Sequence, residues 1–424
     1  MSRSTWSRRG RWGVARADEA SDPDTGALRP LRHPAFRALA LGRSLMFLGN
    51  GMASVAVAFA VLDATGSLVN VGLVVGARSL ANVCLLLLGG VLADRLPRSL
   101  VLRGGCVLAA GSQAALAAAL LTGAASLPLM IGLSLVNGAA AAANLPAAAA
   151  LTPQTVPAAL LRPANAVLRV GVHAGMFAGA GLGGAVVGAA GSGWAIAADA
   201  ALFALAGVAF TLLRVPSGPR RDDGGGVLRD LLEGWREFTA RRWVWIVVAQ
   251  FMVVNATWTA TTSVLGPAIA DASFGRTEWG LLMAANAAGL LAGGALAARW
   301  QPRRALAFGV ALILVQTVPL FALAGSVPFL PLLFAMVVAG IAVEQFGVAW
   351  EVSVQENVPT ERLSRVYSYD ALGSFVAMPV GQVAAGPLAE RVGPGPAIAL
   401  MAGLTVAATL AALSSRSVRT LRRR

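Results

Sequence analysis

The sequence of 424 residues has little charge and contains no lysine, so all 34 basic residues are arginines. Charged residues make up 13% of the chain, whereas soluble globular proteins average about 25%. Hydrophobic residues make up 57%. A soluble domain cannot cover that much apolar material with so few polar residues. The composition therefore excludes a soluble domain and predicts a protein that lies mostly within a lipid bilayer.

Cysteine and histidine are also scarce, with two of each. Cys84 and Cys106 lie in apolar runs and can form at most one bridge, so we predict no disulfide framework. The chain contains no His-Glu-x-x-His and no glycine-lysine phosphate loop, and its one Asp-x-x-x-Asp, Asp18 to Asp22, lies in the polar first 36 residues outside the apolar runs. We therefore expect no metal, no cofactor and no enzymatic activity. A membrane-embedded transferase remains as a less favoured alternative.

Twelve apolar runs are each long enough for a membrane-spanning helix, which needs about 20 residues. They lie at 38–62, 69–93, 100–121, 128–150, 166–190, 194–213, 243–269, 278–298, 305–324, 329–353, 365–389 and 395–414. The arginine-rich first 36 residues lack the apolar core of a signal peptide, which indicates a cytoplasmic tail. The predicted fold class is an all-α integral membrane protein with twelve transmembrane helices.

The arginines are distributed unequally between the two sides of this arrangement. Thirty of the 34 fall on the side of the two chain ends, only Arg276 and Arg391 fall in loops of the other side, and Arg43 and Arg78 lie within spans. The positive-inside rule then places both termini in the cytoplasm. The same distribution explains the net charge of +14 without nucleic-acid binding, so the expected partners are membrane lipid and a small-molecule substrate.

The two halves of the chain repeat some features at a nearly constant offset. Gly89-Gly90 recurs as Gly293-Gly294, and Asn50 recurs as Asn255, which favours two pseudo-symmetric six-helix bundles. Between them, 214–242 combines Pro, Gly and charge with a periodic apolar face, and we interpret it as an interfacial linker helix or a simple connector. The predicted regions are an N-terminal cytoplasmic tail (1–36), the first bundle (37–213), the cytoplasmic linker (214–242), the second bundle (243–414) and a basic cytoplasmic tail (415–424).

The most specific local motif is GGVLADRLPR at 89–98, where the second span ends. It resembles the signature between spans two and three of the major facilitator superfamily. The stretches at 36–52, 61–67, 77–80 and 358–374 are similar to the drug:proton antiporter branch that includes enterobactin exporters and macrolide-efflux proteins. The resemblance implies the major facilitator fold and a gating role for the motif residues Gly90, Asp94, Arg95 and Arg98. Asn50 stands where that branch commonly has an acid.

Glycines recur in the fifth span within GMFAGAGLGG at 175–184. Such a stripe lets a neighbouring helix approach closely. The segment resembles the antiporter motif of exporters in this superfamily, with Ala180 in place of the usual proline. Simple helix packing is the alternative interpretation. The predicted packing glycines are Gly175, Gly179, Gly183 and Gly184.

Ionisable side chains at bilayer depth are costly, and they are usually functional or paired. Glu344 lies near the middle of the tenth span, with Glu351 on the same face. Together with His173, these residues are our candidates for proton coupling, because a buried carboxylate can bind and release a proton. A purely structural role is the alternative for each. Structural or gating charges are expected at Arg43, Arg78, Asp199 and Asp370, with Arg43–Glu351 and Arg78–Asp199 as hypothetical pairs.

Uncharged polar and aromatic residues occur in spans 1, 4, 7 and 10, which line the cavity in the superfamily that this sequence resembles. Sparse polar groups among apolar residues suit an amphipathic or aromatic solute. Contacts between helices are the alternative role for these polar groups. The cavity candidates are Asn50, Asn137, Asn144, Asn255, Trp258 and Trp350.

These observations predict a secondary active transporter of the cell membrane. The resemblance implies export of hydrophobic or amphipathic molecules, such as drugs, antibiotics or siderophore-like compounds, by proton antiport with alternating access. Such a transporter uses the proton-motive force instead of a cofactor and is expected to work as a monomer. An importer or uniporter of a small metabolite is the first alternative, and a transporter-like sensor is another.

Overall fold

A computed structural model describes residues 28–95, 97–213, 235–236, 238–299, 302 and 304–421. Twelve helices in this part of the chain are long enough and apolar enough to cross a membrane, as the hydrophobic runs predicted. The first six are α1 (Pro34–Thr65), α2 (Leu68–Arg95), α3 (Arg98–Leu121), α4 (Leu127–Thr155), α5 (Leu161–Ala190) and α6 (Ser192–Thr211). Short connections make successive helices antiparallel where they join α1 to α2 and α5 to α6.

The second six helices repeat this arrangement with two interruptions. They are α7 (Arg242–Ala272), α8 (Arg276–Arg299), α9 (Ala305–Ala324), α10 (Phe329–Asn357), α11 (Thr360–Val376 and Met378–Val392) and α12 (Pro394–Ser414). Helix α7 contains a π-helical turn, Thr261–Leu265. Helix α11 is interrupted at Ala377. Short helices also lie at Arg29–Arg32, Ala158–Leu160 and Arg416–Arg419.

Most helices extend beyond the apolar runs that predicted them. The first run, 38–62, becomes a helix that reaches Thr65, where Gly66 adopts a left-handed conformation with φ of 65° and ends it. The tenth run, 329–353, continues to Asn357. Polar residues extend a helix into the interface without adding to its apolar core, so hydrophobicity alone gives boundaries that are too short.

Each set of six helices packs mainly within itself. Helix α1 packs on α5 and α6, and α2 packs on α4, while α10 packs on α8 and α9. The two sets meet where α2 contacts α11 and where α5 contacts α8. We call the side at which α1 begins and α12 ends the terminus face, and the other side the opposite face.

The buried apolar side chains form one shared core and two separate ones. Toward the opposite face, residues of both sets merge into one cluster, in which Val55 and Phe59 of α1 join Leu265 of α7 and Trp279 of α8. Toward the terminus face, the first set has its own cluster around Phe36, Leu102, Leu151 and Phe210. The second set has another around Val244, Ile313, Phe346 and Val354. The two sets are therefore joined near the opposite face and have separate cores near the terminus face.

The predicted interfacial helix at 214–242 lies for the most part outside the described residues. Its described end contributes Trp235 and Phe238, whose rings lie 5.8 Å apart. Both contact Tyr369 of α11, at 5.7 and 5.8 Å between ring centroids. These aromatic contacts attach the end of the linker to the second set of helices.

Candidate functional site

An ion-pair group connects the two sets of helices at the opposite face, and we call it the Arg276 group. Arg276 at the start of α8 donates to both oxygens of Asp63 at the end of α1, at 2.5 and 2.8 Å. Its Nε atom donates to Asp271 of α7 at 2.6 Å. The guanidinium also lies 5.0 Å from the ring centre of Phe59. One arginine therefore holds a carboxylate from each set of helices in place.

Glycines bring the helices next to this group into backbone contact. A Cβ atom added to Gly184 of α5 would lie 2.6 Å from the Cα atom of Gly280 in α8. One added to Gly183 would lie 2.8 Å from the Cα atom of Met52 in α1, and Gly175 would meet the backbone of Ser44 at 2.9 Å. Gly179 lies against the carbonyl oxygen of Leu48. The stripe thus packs α5 on α1, while Gly184 packs it on the other set of helices.

A second ion-pair group lies between the sets on the terminus side, and we call it the Arg169 group. Arg169 of α5 donates to Glu344 at 2.9 Å and to Glu351 at 3.5 Å, both on α10. The Arg169 side chain is 55% exposed and that of Glu351 is 48% exposed. His173 lies one turn after Arg169 on α5, within electrostatic range of Glu344. The three residues predicted for proton coupling are therefore close together, with Arg169 between the sets.

Packing on α8 gives Glu344 its position. A Cβ atom added to Gly293 would lie 2.8 Å from the Cβ atom of Glu344, so the side chain lies against a surface that only small residues leave open. Glu344 is 12% exposed, compared with 48% for Glu351. Gln355 donates to Glu351 at 3.3 Å. The structure pairs Glu351 with Arg169 rather than with Arg43, and Arg43 has no ion pair among the described residues.

A cavity of about 320 Å³ lies deeper between the two sets. Helices α1, α2, α3 and α4 form one wall, and α7 and α11 form the other. The lining includes polar side chains from both walls, Ser54, Arg78, Ser79, Asn82, Gln113, Ser134, Asn137, Thr259, Ser263 and Gln382. The apolar lining consists of Ala53, Val57, Val74, Val75, Val83, Phe375 and Met378.

Arg78 is the charged residue of the described lining, and it forms hydrogen bonds with two asparagine side chains. Its Nε atom donates to the carbonyl oxygen of Asn137 at 2.7 Å, and Nη2 donates to that of Asn50 at 2.8 Å. Asp199 is fully buried and accepts a hydrogen bond from Gln113. Arg78 and Asp199 lie within electrostatic range of each other, but the expected ion pair is absent from the described residues, because Arg78 bonds to the two asparagines instead.

The other cavity candidates lie at contacts between helices. The Asn144 amide lies against Gly105 of α3, and Asn255 donates to the Ser374 carbonyl of α11 at 3.0 Å. Trp258 is partly buried and packs on the shared core. Trp350 donates to Asp370 at 2.9 Å. Of the six candidates, Asn137 lines the described cavity, and Asn50 reaches it through Arg78.

The motif between α2 and α3 is described only in part. The backbone of α2 extends to Arg95, so Gly90 and Asp94 belong to this helix, and Arg98 begins α3. The side chains of 86–96 lie outside the described residues. Their predicted gating role remains a prediction.

Sequence reasoning missed several residues that the structure brings together. Asp63 and Arg276 are 213 residues apart in the sequence, and the sequence around each of them does not indicate the other as its partner. Gln113 and Gln382 line the cavity from helices that were not assigned to it. A polar residue inside an apolar run was the available signal for both.

Comparisons with known proteins agree on one family. The model of the Major Facilitator Superfamily matches residues 39–381. The chain is 27% identical over 364 residues to "Multidrug efflux pump Tap" of Mycolicibacterium fortuitum, which covers 81% of this chain and 87% of that protein. It is similar in structure to an inward-facing, unoccupied bacterial homolog of the human lysosomal transporter Spinster, with a TM-score of 0.72, 18% identity and coverage of 91% and 97% of the two chains. The nucleoside transporter NupG gives a TM-score of 0.68 at 15% identity and coverage of 90% and 98%.

The family match spans most of the chain, and the similar structures share its arrangement of helices. Together with the twelve apolar helices, it confirms the predicted fold. The chain belongs to the major facilitator superfamily and is a multi-pass membrane transporter rather than an enzyme.

Proposed function

We propose that this transporter exports hydrophobic or amphipathic small molecules from the cytoplasm by proton antiport, with alternating access. The observation that carries the proposal is the shared core near the opposite face, combined with separate cores near the terminus face. A solute would then reach the central cavity from the terminus face in this state. In the alternate state the two sets of helices would separate at the shared core and come into contact near the terminus face.

The orientation in the membrane and the direction of transport have separate supports. The concentration of arginines on the terminus side favours a cytoplasmic position for that face and for both chain ends in the cell membrane. The similarity to a protein named as a multidrug efflux pump favours export and a broad range of substrates. The apolar part of the cavity lining suits solutes of this kind.

Proton coupling is assigned to the Arg169 group. Two carboxylates share one arginine there, so the arginine neutralises only one of their two negative charges when both are ionised. In the state described here, Glu344 forms its ion pair with Arg169, which suits a carboxylate that has released its proton toward the cytoplasm. Protonation in the alternate state would remove that ion pair and favour the return step. His173 is a second candidate for holding the proton.

The remaining predicted roles follow from this cycle. Movement of the halves at the terminus face would involve Arg43, the α2–α3 motif and Asp370. The glycines of α5 would let that helix move against its neighbours without steric obstruction. We expect the monomer to be the functional unit.

Proton release from everted membrane vesicles tests the proposal across many compounds at once. The vesicles are acidified inside, and a panel of antibiotics, dyes and siderophore-type compounds is added from outside. An exported compound releases protons from the lumen, which a pH-sensitive dye reports. For Glu344→Gln we expect at least a tenfold smaller proton release, because the neutral amide cannot carry a proton.

Glu390→Gln provides the matched control, since Glu390 is exposed on α11 near the opposite face and has no part in the proposed cycle. It should retain the wild-type signal. Undiminished proton release by Glu344→Gln would exclude this carboxylate from the coupling path. Accumulation of a compound by right-side-out vesicles, without release by everted ones, would instead establish an importer.

A further inference from the structure

We propose that the cavity beside Arg78 binds an anionic group of the transported compound, so that preferred substrates are amphipathic anions with a small apolar body. The inference rests on the proposed function only in that the cavity holds the transported compound. It requires neither export nor proton coupling. Four features of the cavity support it.

The first feature is an arginine without an ion-pair partner. Among the residues described, Arg78 has no carboxylate within ion-pair distance, and its two hydrogen bonds go to neutral amide oxygens. Asp199 lies within electrostatic range of Arg78 but makes no hydrogen bond to it, and its carboxylate instead accepts from Gln113, which lines the cavity. A guanidinium whose hydrogen bonds go only to neutral amides attracts an anion and can bind a carboxylate through two parallel hydrogen bonds.

The second feature is a pair of buried amides with free hydrogen-bonding atoms. Asn137 is 4% exposed and Gln382 is 3% exposed, and both line the cavity. The Nδ2 atom of Asn137 and the Oε1 atom of Gln382 have no hydrogen-bond partner in the described part of the chain. Buried polar atoms are rarely left unpaired, because an unpaired atom has lost its hydrogen bonds to water without replacing them. A ligand anion at Arg78 would accept from Asn137, and a hydroxyl or N–H group on the same ligand would donate to Gln382.

The third feature is irregular backbone on the opposite wall. The π-helical turn of α7, Thr261–Leu265, supplies Ser263 to the lining, and π-helical turns often occur at functional sites. The second part of α11 begins at Met378, which also lines the cavity. Both interruptions of the second set of helices therefore lie at this cavity.

The fourth feature is the size and apolar part of the lining. A volume of about 320 Å³ is near the lower limit for small-molecule sites. Val57, Val75, Phe375 and Met378 supply an apolar surface for an aromatic or aliphatic body. The expected ligand is thus a compact amphipathic acid.

A binding experiment on the purified full-length protein tests the inference without a proton gradient. The probes are 1-naphthaleneacetate and 1-naphthaleneacetamide, which have similar shapes but differ in charge, and calorimetry at pH 7.5 gives both affinities. We expect the wild type to bind the acid roughly 10–100-fold more tightly, as charged hydrogen bonds imply. Arg78→Gln should reduce this preference to about threefold or less, and Arg78→Lys should keep part of it.

Two further variants locate the binding and guard against misfolding of the Arg78 variants. Ser263→Phe fills the cavity from the other wall and should weaken binding of both probes at least tenfold, roughly the loss of a well-packed contact. Arg391→Gln removes an exposed arginine outside the cavity and should retain the preference. A wild type that does not prefer the acid would overturn the inference. So would a preference that survives in Arg78→Gln or binding that survives in Ser263→Phe.

The outcomes separate this inference from the proposed function. Preferential binding of the acid by a protein that releases no protons in the vesicle assay would support the anion site and contradict proton-coupled export. Proton-coupled export by a protein without the acid preference would contradict the anion site alone.

Discussion

The two ion-pair groups have the same composition but different geometry. Each consists of one arginine and two carboxylates and connects the two sets of helices. Arg276 is 24% exposed and makes three contacts of 2.5–2.8 Å, whereas Arg169 is 55% exposed and makes two at 2.9 and 3.5 Å. The first group lies beside a continuous apolar core and the second between separate cores. Identical charges therefore form a compact group only where the surrounding helices pack closely.

This difference indicates which group holds the present state together. Exposed ion pairs contribute about 0–1 kcal/mol, because water screens them and the side chains lose entropy. Arg276 itself is 24% exposed, but Asp63 and Asp271 are 39% and 35% exposed, so each of its three short hydrogen bonds contributes about 1 kcal/mol. We therefore expect the Arg276 group to stabilise the closed opposite face and the Arg169 group to respond to protonation. Three substitutions test this contrast.

The largest effect is expected from Arg276→Gln. The change removes the contacts to Asp63 and Asp271 and the cation–π contact with Phe59, which together stabilise the closed opposite face by about 3 kcal/mol. The measurement is the labelling of Thr277→Cys by a polar maleimide in purified protein, in a Cys84→Ser background. Labelling should be roughly 100-fold faster than in the same protein with Arg276. Unchanged labelling would show that the glycine contacts alone keep this face closed.

An intermediate effect is expected from Gly184→Ala. Its new Cβ atom would lie 2.6 Å from the Cα atom of Gly280, and overpacking of this kind costs about 1–3 kcal/mol. Gly181→Ala is a matched control on the same helix, because its Cβ atom would meet Ala284 at an ordinary 3.6 Å. The thermal midpoint of the purified protein should fall for Gly184→Ala and remain nearly unchanged for Gly181→Ala. Equal midpoints for the two variants would contradict the close contact between α5 and α8.

The smallest effect on stability is expected from Arg169→Gln. The Arg169 side chain is 55% exposed, so water screens its ion pairs and their loss should change the unfolding free energy by less than about 1 kcal/mol. Proton-coupled transport should nevertheless change its pH dependence, because Glu344 and Glu351 lose their shared cation. Thermal unfolding and the pH profile of proton release in vesicles measure the two effects separately. Strong destabilisation with an unchanged pH profile would reverse the contrast between the two groups.

The sequence indicated which charged residues share a helix face, but not which residues they contact. Glu344 and Glu351 were identified because residues seven apart lie on one face of a helix, and the structure places both on Arg169. The hypothetical Arg43–Glu351 pair rested on depth in the membrane, and the Arg78–Asp199 pair rested on positions that resemble those of the family. Depth does not fix the rotation of a helix about its axis, so it cannot select a partner. Asn50 and Asn137, not an acid, receive the hydrogen bonds of Arg78.

Irregular backbone was equally hidden from sequence patterns. The seventh and eleventh apolar runs are continuous, yet α7 contains a π-helical turn and α11 is interrupted at Ala377. Apolar periodicity reports that a segment is helical and buried. It does not show where the backbone hydrogen bonds within that helix change from the α-helical to another pattern. Both irregularities lie at the cavity, where packing between the two sets determines the backbone.

The sequence by itself determined that this protein crosses the membrane twelve times, because the length and hydropathy of a spanning segment are local properties. It also determined the family, because the motif at 89–98 and the related segments are local as well. Only the tertiary structure decided that Arg169 joins Glu344 and Glu351, that Arg276 joins Asp63, and that Arg78 bonds to asparagines in a cavity. Those contacts depend on helix rotation and on the close approach that glycines permit, and both are set by packing between segments distant in the chain.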